Sequence, residues 1–202
     1  MVRIYLITDR HVIRDPAGAV ASALSVLPIG TAAVQLREKD LPRDELLRLA
    51  RTLLPLCRSA KAPLLVNTDI EVVQAVRADG VHLPAGGISV AQARRALGPG
   101  ALIGQSCHTR AEVAQAKEDG ADFAVFGPVW DTEEKKGQGM TALHLAAKAA
   151  PIPVFAVGGV TPPRAKRALA AGAHGVACIR SVLGAPDPAS AALEMWRAVS
   201  KS

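Results

Sequence analysis

Short runs of β-branched and other apolar residues alternate with longer segments whose apolar positions recur at the spacing of an α-helix. The runs predict eight strands, over Arg3 to Asp9, Ala33 to Lys39, Pro63 to Thr68, Gly80 to Pro84, Leu102 to His108, Asp122 to Val129, Pro153 to Gly159 and Gly175 to Val182. The segments between them predict amphipathic helices. After the second run, for example, apolar side chains recur at Leu46, Leu47, Leu49, Leu53 and Leu54.

Capping and turn residues mark the ends of these helices. Ser89, Thr109 and Thr161 each precede a helical segment, where a side-chain hydroxyl can accept a hydrogen bond from a free amide of the first turn. Glycines predict the helix ends, because a left-handed residue often terminates a helix, and they stand at Gly98, Gly120 and Gly172. The strands and helices therefore alternate without a long linker.

The alternation of strands and helices favours parallel pairing through right-handed crossovers. Eight such units without a break in composition predict one α/β domain over residues 1–202, a single closed (β/α)8 TIM barrel. An open doubly wound sheet is the alternative, since six strands would suffice for it. The GxGxxG pattern of dinucleotide-binding sheets is absent after the first strand, where Thr8, Asp9 and Arg10 stand.

Composition narrows the classes of partner. The 202 residues are 50% hydrophobic, and 24 Lys and Arg against 18 Asp and Glu give a formal charge of +6. The cations are dispersed and aromatic residues make up only 3% of the chain, which disfavours a nucleic-acid partner and favours a small anion. Because no long apolar run or signal peptide is present, we expect a cytoplasmic protein without a membrane partner.

The three cysteines do not point to a cross-linked or metal-bound fold. Cys57, Cys107 and Cys178 are odd in number and lack the spacing of a zinc site. We therefore expect reduced thiols in the core.

The strongest indication of a binding site is glycine-rich. TIM barrels place their sites at the C-terminal ends of the strands, and often hold a phosphate after strands seven and eight. Gly158 and Gly159 end the seventh predicted strand, Thr161 begins the next helix and Arg180 ends the eighth strand. Bare amides at a glycine pair and a helix N-terminus can bind a phosphate. The alternative is a glycine pair that serves packing only.

Two further strand ends carry polar chemistry. Gln35, Arg37 and Lys39 alternate along the second strand and share one face, where buried cations would call for an anion. The alternative is a structural network of ion pairs with Asp9 and Asp69.

His108 ends the fifth strand on the same face as Ser106, which makes it the best candidate for an acid or base. His82 occupies the equivalent place after the fourth strand, and we interpret it as a hydrogen-bonded core histidine, which is also the alternative for His108.

The segment 130–139 is the longest polar interval and ends in glycines. It carries Thr132 and Lys135, and it predicts a mobile lid that closes on an anionic ligand. A solvated loop without that function is the alternative.

Several ordered motifs carry a resemblance to a known family. They are QLREK at 35–39, ADGVHL at 78–83, IGQSCH at 103–108, FGPVWDTEEKKG at 126–137, VGGV at 157–160 and HGVACIRSVL at 174–183. Together with Asp9 they resemble the thiamine phosphate synthase and TenI superfamily over almost the entire chain. The synthases of that family couple a pyrimidine diphosphate to a thiazole phosphate and bind Mg²⁺ through two aspartates.

The sequence departs from the synthase pattern at both aspartates. Thr68 and Gly87 stand in their places. Asp69 is adjacent, but strand alternation would aim it away from the direction of Thr68. Since Mg²⁺ usually needs carboxylate ligands, we expect no metal site here.

The resemblance therefore implies the TenI branch, whose lid also resembles residues 130–137. A thiazole tautomerase of this kind, an isomerase, aromatises a carboxythiazole phosphate tautomer, and its catalytic acid and base would be His108. No cofactor is expected, the partner is a phosphorylated thiazole, and a homodimer is compatible with the sequence. The implied substrate-binding residues are Gln35, Arg37, Lys39, Asn67, Ser106, Thr132, Lys135, Gly158, Gly159, Ile179 and Arg180.

Two alternatives stay open from the sequence. One is a thiamine phosphate synthase with relocated metal ligands. The other is a regulatory or binding protein that retains the thiazole phosphate pocket without catalysing a reaction.

Overall fold

Strands and helices alternate through the computed structural model, which describes residues 1–148 and 150–200. The strands are β1 (Ile4–Ile7), β2 (Ala32–Leu36), β3 (Leu64–Asn67), β4 (Gly80–Leu83), β5 (Leu102–Cys107), β6 (Phe123–Phe126), β7 (Val154–Ala156) and β8 (Gly175–Cys178). The helices are α1 (Pro16–Val26), α2 (Arg43–Ser59), α3 (Ile70–Val76), α4 (Val90–Leu97), α5 (Arg110–Glu118), α6 (Gly139–Ala147), α7 (Pro162–Ala170) and α8 (Pro188–Val199).

The eight strands form one closed barrel in chain order, and every pairing is parallel. β1 closes the ring, since Ile4 pairs with Ala32 of β2 on one side and with Val176 of β8 on the other. An open sheet would leave two strands with a free edge. The predicted (β/α)8 barrel is confirmed, and the doubly wound alternative is wrong.

The predicted apolar runs extend beyond the C-terminal ends of their strands. β2 ends at Leu36 rather than Lys39, and β7 ends at Ala156 rather than Gly159. The reason is clearest after β7, where Gly158 and Gly159 have φ of +92° and +62° and so leave the strand region of backbone conformation. The polar residues that end each run therefore lie in the loops at the barrel mouth.

Alternation along each strand sends side chains into two separate apolar layers. Residues such as Leu6 and Val34 pack outward against the helices. The inward-facing layer fills the barrel and comprises Tyr5, Ile7, Ala33, Leu65, Val125, Phe155 and Ala177. Because the interior is packed, the chemistry of the fold is confined to the strand ends and their loops.

The predicted helix caps hold in part. Ser89 forms a capping box with Gln92, and the Thr109 side chain accepts a hydrogen bond from the Glu112 amide. Thr161 stands at the N-cap of α7, but its side chain makes no capping hydrogen bond. The predicted terminal glycines have left-handed φ, at Gly98, Gly120 and Gly172. No helix of the described residues is long and apolar enough to cross a membrane.

All three cysteines are free and buried in the fold, as the sequence predicted. Burial raises the pKa of the Cys57, Cys107 and Cys178 thiols to about 12. A thiol with so high a pKa holds almost no nucleophilic thiolate at neutral pH, so these cysteines serve packing.

Candidate active site

A cavity of about 430 Å³ opens at the barrel mouth beside the ends of β1, β2, β7 and β8. Six of the predicted site residues line it, namely Arg37, Thr132, Gly158, Gly159, Ile179 and Arg180. Charged side chains outside the predicted substrate-binding set also line it, namely Asp9, Asp131, Glu133, Glu134 and Arg164. The cavity is therefore strongly charged, and its three cationic side chains are all arginines.

The loop after β7 brings bare backbone to the cavity wall. Gly159 has a left-handed φ of +62°, and a Cβ at this position would lie 2.9 Å from the carbonyl oxygen of Asp131 and 2.9 Å from the Trp130 side chain. Only glycine fits there without strain. Across residues 1–148 and 150–200, the amides of Gly159, Val160 and Arg180 find no protein acceptor. Unpaired amides at a cavity wall are donors suited to an anion.

The start of α7 contributes less to this anion site than the sequence predicted. Its first two residues are Pro162 and Pro163, which have no amide hydrogen. Two of the four donors that a helix N-terminus usually offers are therefore missing. The helix dipole remains. In addition, the side chain of Arg164 on the same turn reaches the cavity.

The loop after β6 covers the cavity with its acidic residues. Glu133 forms an ion pair with Arg180 across the mouth. Thr132 and Lys135 bond to each other instead, since the Lys135 amide donates to the Thr132 hydroxyl at 3.1 Å and the Thr132 amide donates to the Lys135 carbonyl at 2.9 Å. The sequence predicted a lid that presents cations, but Lys135 is not among the cavity residues. The charged side chains of this loop that line the cavity are carboxylates.

Strand β2 places its polar residues at different depths. Gln35 is buried in the barrel, where its amide donates to the Tyr5 hydroxyl at 3.1 Å. Arg37 reaches the cavity and forms an ion pair with Asp9 at 3.5 Å, as the structural alternative proposed. Lys39 is exposed to solvent. Of these three residues, only Arg37 lines this cavity.

A buried polar network lies beneath the mouth. The His82 ring is within 2.9 Å of the Ser106 hydroxyl through Nε2 and within 3.5 Å of the Tyr5 hydroxyl through Nδ1. Burial, with the nearby Arg37 charge, lowers the pKa of His82 to about 3. His82 is therefore neutral in the folded protein, and it links β1, β4 and β5 as a core histidine. This agrees with its interpretation from the sequence.

His108 lies in the loop after β5 and is exposed. Its Nδ1 hydrogen bonds to the Gly127 carbonyl at 2.6 Å, and its amide donates to the Glu112 carboxylate at 2.6 Å. It does not line the 430 Å³ cavity. The cavity therefore contains Arg37 and Gly159 but not His108, and the catalytic role that the resemblance implied for His108 stays a prediction.

The opposite side of the mouth, at the ends of β3 and β4, is uncharged. The Asn67 amide donates to the Thr68 hydroxyl at 2.7 Å, and Gly87 offers no side chain. Asp69 caps α3 through the Val72 amide and pairs with Arg43, so it is directed away from the mouth. Neutral amide and hydroxyl groups are poor partners for a hard divalent cation. The donor set here does not fit the Mg²⁺ that the family resemblance implies.

Comparison with known proteins identifies the family. Residues 4–182 match the family described as thiamine monophosphate synthase. The chain belongs to this family. It is 46% identical over 191 residues, 92% of this chain and 88% of the relative, to a Geobacter sulfurreducens protein provisionally named thiamine-phosphate synthase. It is 38% identical over 192 residues, 93% and 84% of the two chains, to the thiamine-phosphate synthase of Roseiflexus castenholzii.

A solved structure supports the same membership in the thiamine monophosphate synthase family. The thiamine phosphate pyrophosphorylase of Pyrococcus furiosus superposes with a TM-score of 0.91 at 32% identity, covering 99% of this chain and 96% of that one. The barrel and the place in thiamine biosynthesis that the resemblance implied are thereby confirmed.

The expectation of a thiazole tautomerase is wrong, because the two relatives are named as thiamine-phosphate synthases and the solved structure as a thiamine phosphate pyrophosphorylase. That expectation rested on three loops, those carrying Thr68 and Gly87 and the lid at 130–137. The similarity to synthases extends instead over nearly the whole barrel. Loss of the carboxylates separates this chain from the synthase pattern at one site without placing it among isomerases.

Sequence reasoning missed Arg164 and the acidic side of the lid. Arg164 stands three residues after Thr161, in a segment interpreted only as a helix start. The spacing itself offered a usable indication, because a residue in the first turn of α7 lies close to the loop after β7. Glu133 could not be placed from the sequence, since the direction of a side chain in the loop 127–138 depends on the fold of that loop.

Proposed function

We propose that the protein is a transferase of the thiamine-phosphate synthase type, which joins a phosphorylated thiazole to a pyrimidine carried on a diphosphate. The thiazole ring nitrogen forms a bond to the pyrimidine methylene carbon. The bond from that carbon to the diphosphate oxygen breaks, and pyrophosphate leaves with the electron pair. No proton is transferred in this step. The protein therefore has to position two anionic substrates and does not need a catalytic acid or base.

The observation that carries the proposal is the charged cavity beside β7 and β8. Its free amides at Gly159, Val160 and Arg180 and its guanidinium groups suit a phosphate monoester. We assign the thiazole phosphate to this place, with Gly158 and Ile179 completing the wall. Glu133 now pairs with Arg180, so the incoming phosphate has to replace that carboxylate.

The pyrimidine diphosphate is assigned to the centre of the mouth. We expect Arg37 and Lys39 to supply positive charge to it and Asn67 to supply an amide. Gln35 and Ser106 lie in or beside the buried network with Tyr5 and His82, which forms the polar floor of the site. Thr132 and Lys135 shape the lid through their mutual hydrogen bonds.

No step of the proposed reaction is routed through a metal ion, because the groups at Thr68 and Gly87 do not fit one. The diphosphate charge must then be met by the protein. Arg37 is the best-placed cation for this, since it is partly buried beside Asp9 and faces the cavity. A partly buried guanidinium is screened less by salt than an exposed one.

The experiment is a coupling assay on the purified protein with a pyrimidine diphosphate and a thiazole phosphate, in Mg²⁺ and in EDTA. We expect thiamine phosphate and pyrophosphate in equal amounts. Arg37→Met should lower the rate by about 10-fold to 100-fold, as expected for loss of a hydrogen-bonded charge on the substrate. Arg48→Met is the matched control, because Arg48 is an exposed arginine on α2 and should leave the rate unchanged.

Absence of product in both conditions would overturn the proposed reaction. If the thiazole phosphate still bound, that result would favour the non-catalytic binding protein. Product formed only in Mg²⁺ would show that metal ligands come from residues other than Thr68 and Gly87.

A further inference from the structure

The three guanidinium groups of the cavity differ in their partners. Arg37 pairs with Asp9 at 3.5 Å, and Arg180 pairs with Glu133. Arg164 has no carboxylate within ion-pair distance in residues 1–148 and 150–200. It is therefore the cavity cation whose charge is not already matched by a neighbouring acid.

Arg164 is nevertheless held in place from two sides. Its Nη1 donates to the Gly159 carbonyl at 2.7 Å. Its guanidinium carbon lies 5.5 Å from the centre of the Trp130 ring, within the range of a cation–π contact. Trp130 in turn packs against the buried core. A long side chain fixed in this way loses little further freedom when a ligand binds.

Arg164 lies where the start of α7 lacks backbone amide donors. Pro162 and Pro163 remove two amide donors from the start of α7, which lies beside the loop of Gly158 and Gly159. An anion placed there would meet fewer amides than at an ordinary helix N-terminus. A guanidinium on that turn has five N–H groups, so donors remain after the bond to Gly159 is made.

We infer that Arg164 is a binding residue for the substrate phosphate, a dianionic phosphate monoester, in the cavity beside β7 and β8. That the ligand is a thiazole rests on the proposed function. The interaction with Arg164 itself requires only that the ligand carry a phosphate ester. The planar fork of Arg164 donates to two phosphate oxygens while Trp130 and the Gly159 carbonyl hold its orientation, and the free amides of Gly159 and Val160 complete the site.

Calorimetric binding of two ligands without the pyrimidine diphosphate tests this role. The ligands are the thiazole phosphate and the corresponding unphosphorylated thiazole alcohol. We expect Arg164→Met to weaken binding of the phosphate ester by about 10-fold to 100-fold and to leave binding of the alcohol unchanged. Arg167→Met is the matched control, because Arg167 is an exposed arginine of the same helix that does not line the cavity, and it should alter neither affinity.

Two conservative variants separate ligand contact from structural support. Arg164→Lys keeps the charge but loses the fork, so it should bind the phosphate ester with an affinity between those of the wild type and Arg164→Met. Trp130→Phe should retain most of the affinity, whereas Trp130→Leu should lose part of it for the phosphate ester alone.

Equal losses for the ester and the alcohol would overturn the assignment, because they would indicate general disruption of the cavity. An unchanged affinity for the ester in Arg164→Met would overturn it too. Both results are independent of the coupling reaction, which the binding measurement does not involve. A protein that binds the ester through Arg164 yet forms no thiamine phosphate would contradict only the proposed function.

Discussion

The two sides of the barrel mouth are built from different chemistry. The β7–β8 side, formed by Gly158, Gly159, Arg164 and Arg180, presents free amides and guanidinium groups. The β3–β4 side, formed by Asn67, Thr68 and Gly87, presents only neutral groups. Thr68 even occupies a left-handed conformation, with φ of +68°, which is costly for a β-branched residue. The first side suits a bound phosphate, and the second lacks ligands for a metal ion.

This contrast indicates that one barrel can retain the backbone of its proposed phosphate anchor while the opposite loops change. The anchor depends on backbone conformation, which requires glycine at position 159 and so tolerates few substitutions. A metal site depends on two side chains in separate loops, and each can be replaced without altering the barrel. Family membership therefore follows from the whole chain, whereas the metal requirement must be judged from individual loop residues.

Removing the backbone anchor should have the largest effect. In Gly159→Val, the new Cβ meets Asp131 and Trp130 at 2.9 Å and the residue is forced to φ of +62°. We expect affinity for the thiazole phosphate to fall about 100-fold, because hydrogen bonds to a charged group are lost along with the position of Arg164. Titration calorimetry measures this. Gly100→Ala is the control, since a Cβ there meets open space.

Acidic pH should destabilise the folded protein through the buried polar network of His82 that lies beneath the barrel mouth. His82 has a pKa of about 3 when folded and an ordinary value of 6.5. Between these pH values the unfolded chain binds a proton that the folded protein does not. The free energy of unfolding is therefore highest above pH 6.5 and decreases as the pH is lowered towards 3. At pH 5 the loss is about 2 kcal/mol.

Urea unfolding at pH 7 and pH 5 measures this loss. His82→Gln should be less stable at pH 7 but should lose less on acidification than the wild type. Burial also lowers the pKa of His174, so part of the pH dependence remains in that variant. His11→Gln, at an exposed residue, is the control. An unchanged pH dependence in His82→Gln would contradict the interpretation of His82 as a buried neutral base.

The sequence predicted the fold better than the site, for a physical reason. Each strand lies in a run of apolar residues ended by glycine or polar residues, and this pattern is local, as in the run that ends at Gly159. Site contacts are not local. The pair of Glu133 with Arg180 and the stacking of Arg164 on Trp130 join residues from different loops, so their spacing in the sequence could not reveal them.

Restoring carboxylates should sharpen the contrast between the two sides. The left-handed conformation at Thr68 tolerates Asp better than Thr, and a Cβ at Gly87 meets no atom closer than the Pro84 ring at 3.3 Å. We expect Thr68→Asp combined with Gly87→Asp to make the coupling rate rise about 10-fold on addition of Mg²⁺. The assay compares rates in Mg²⁺ and EDTA. Thr68→Asn with Gly87→Asn is the uncharged control, and an equal Mg²⁺ response in it would refute the carboxylate explanation.

Freeing Arg180 should have a smaller effect in the opposite direction. Glu133 pairs with this guanidinium, which we assign to the substrate phosphate, but both side chains are largely exposed. Exposed ion pairs are weak, so Glu133→Gln should tighten binding of the thiazole phosphate only about twofold to fivefold. Glu118→Gln, at an acidic residue remote from the cavity, is the control. Weaker binding in Glu133→Gln would instead mean that the lid needs this ion pair to close on the ligand.

Substitution of His108 should have the smallest effect on the coupling reaction. The proposed step transfers no proton, and His108 lies outside the phosphate cavity. His108→Gln keeps a group able to donate to the Gly127 carbonyl, which the histidine contacts at 2.6 Å. We therefore expect steady-state kinetics to show a change in kcat of less than about twofold, whereas general acid or base catalysis is commonly worth about 10²-fold to 10⁴-fold. A loss in that larger range, with unchanged binding of the thiazole phosphate, would assign His108 a catalytic proton transfer and would require a different reaction step from the one proposed.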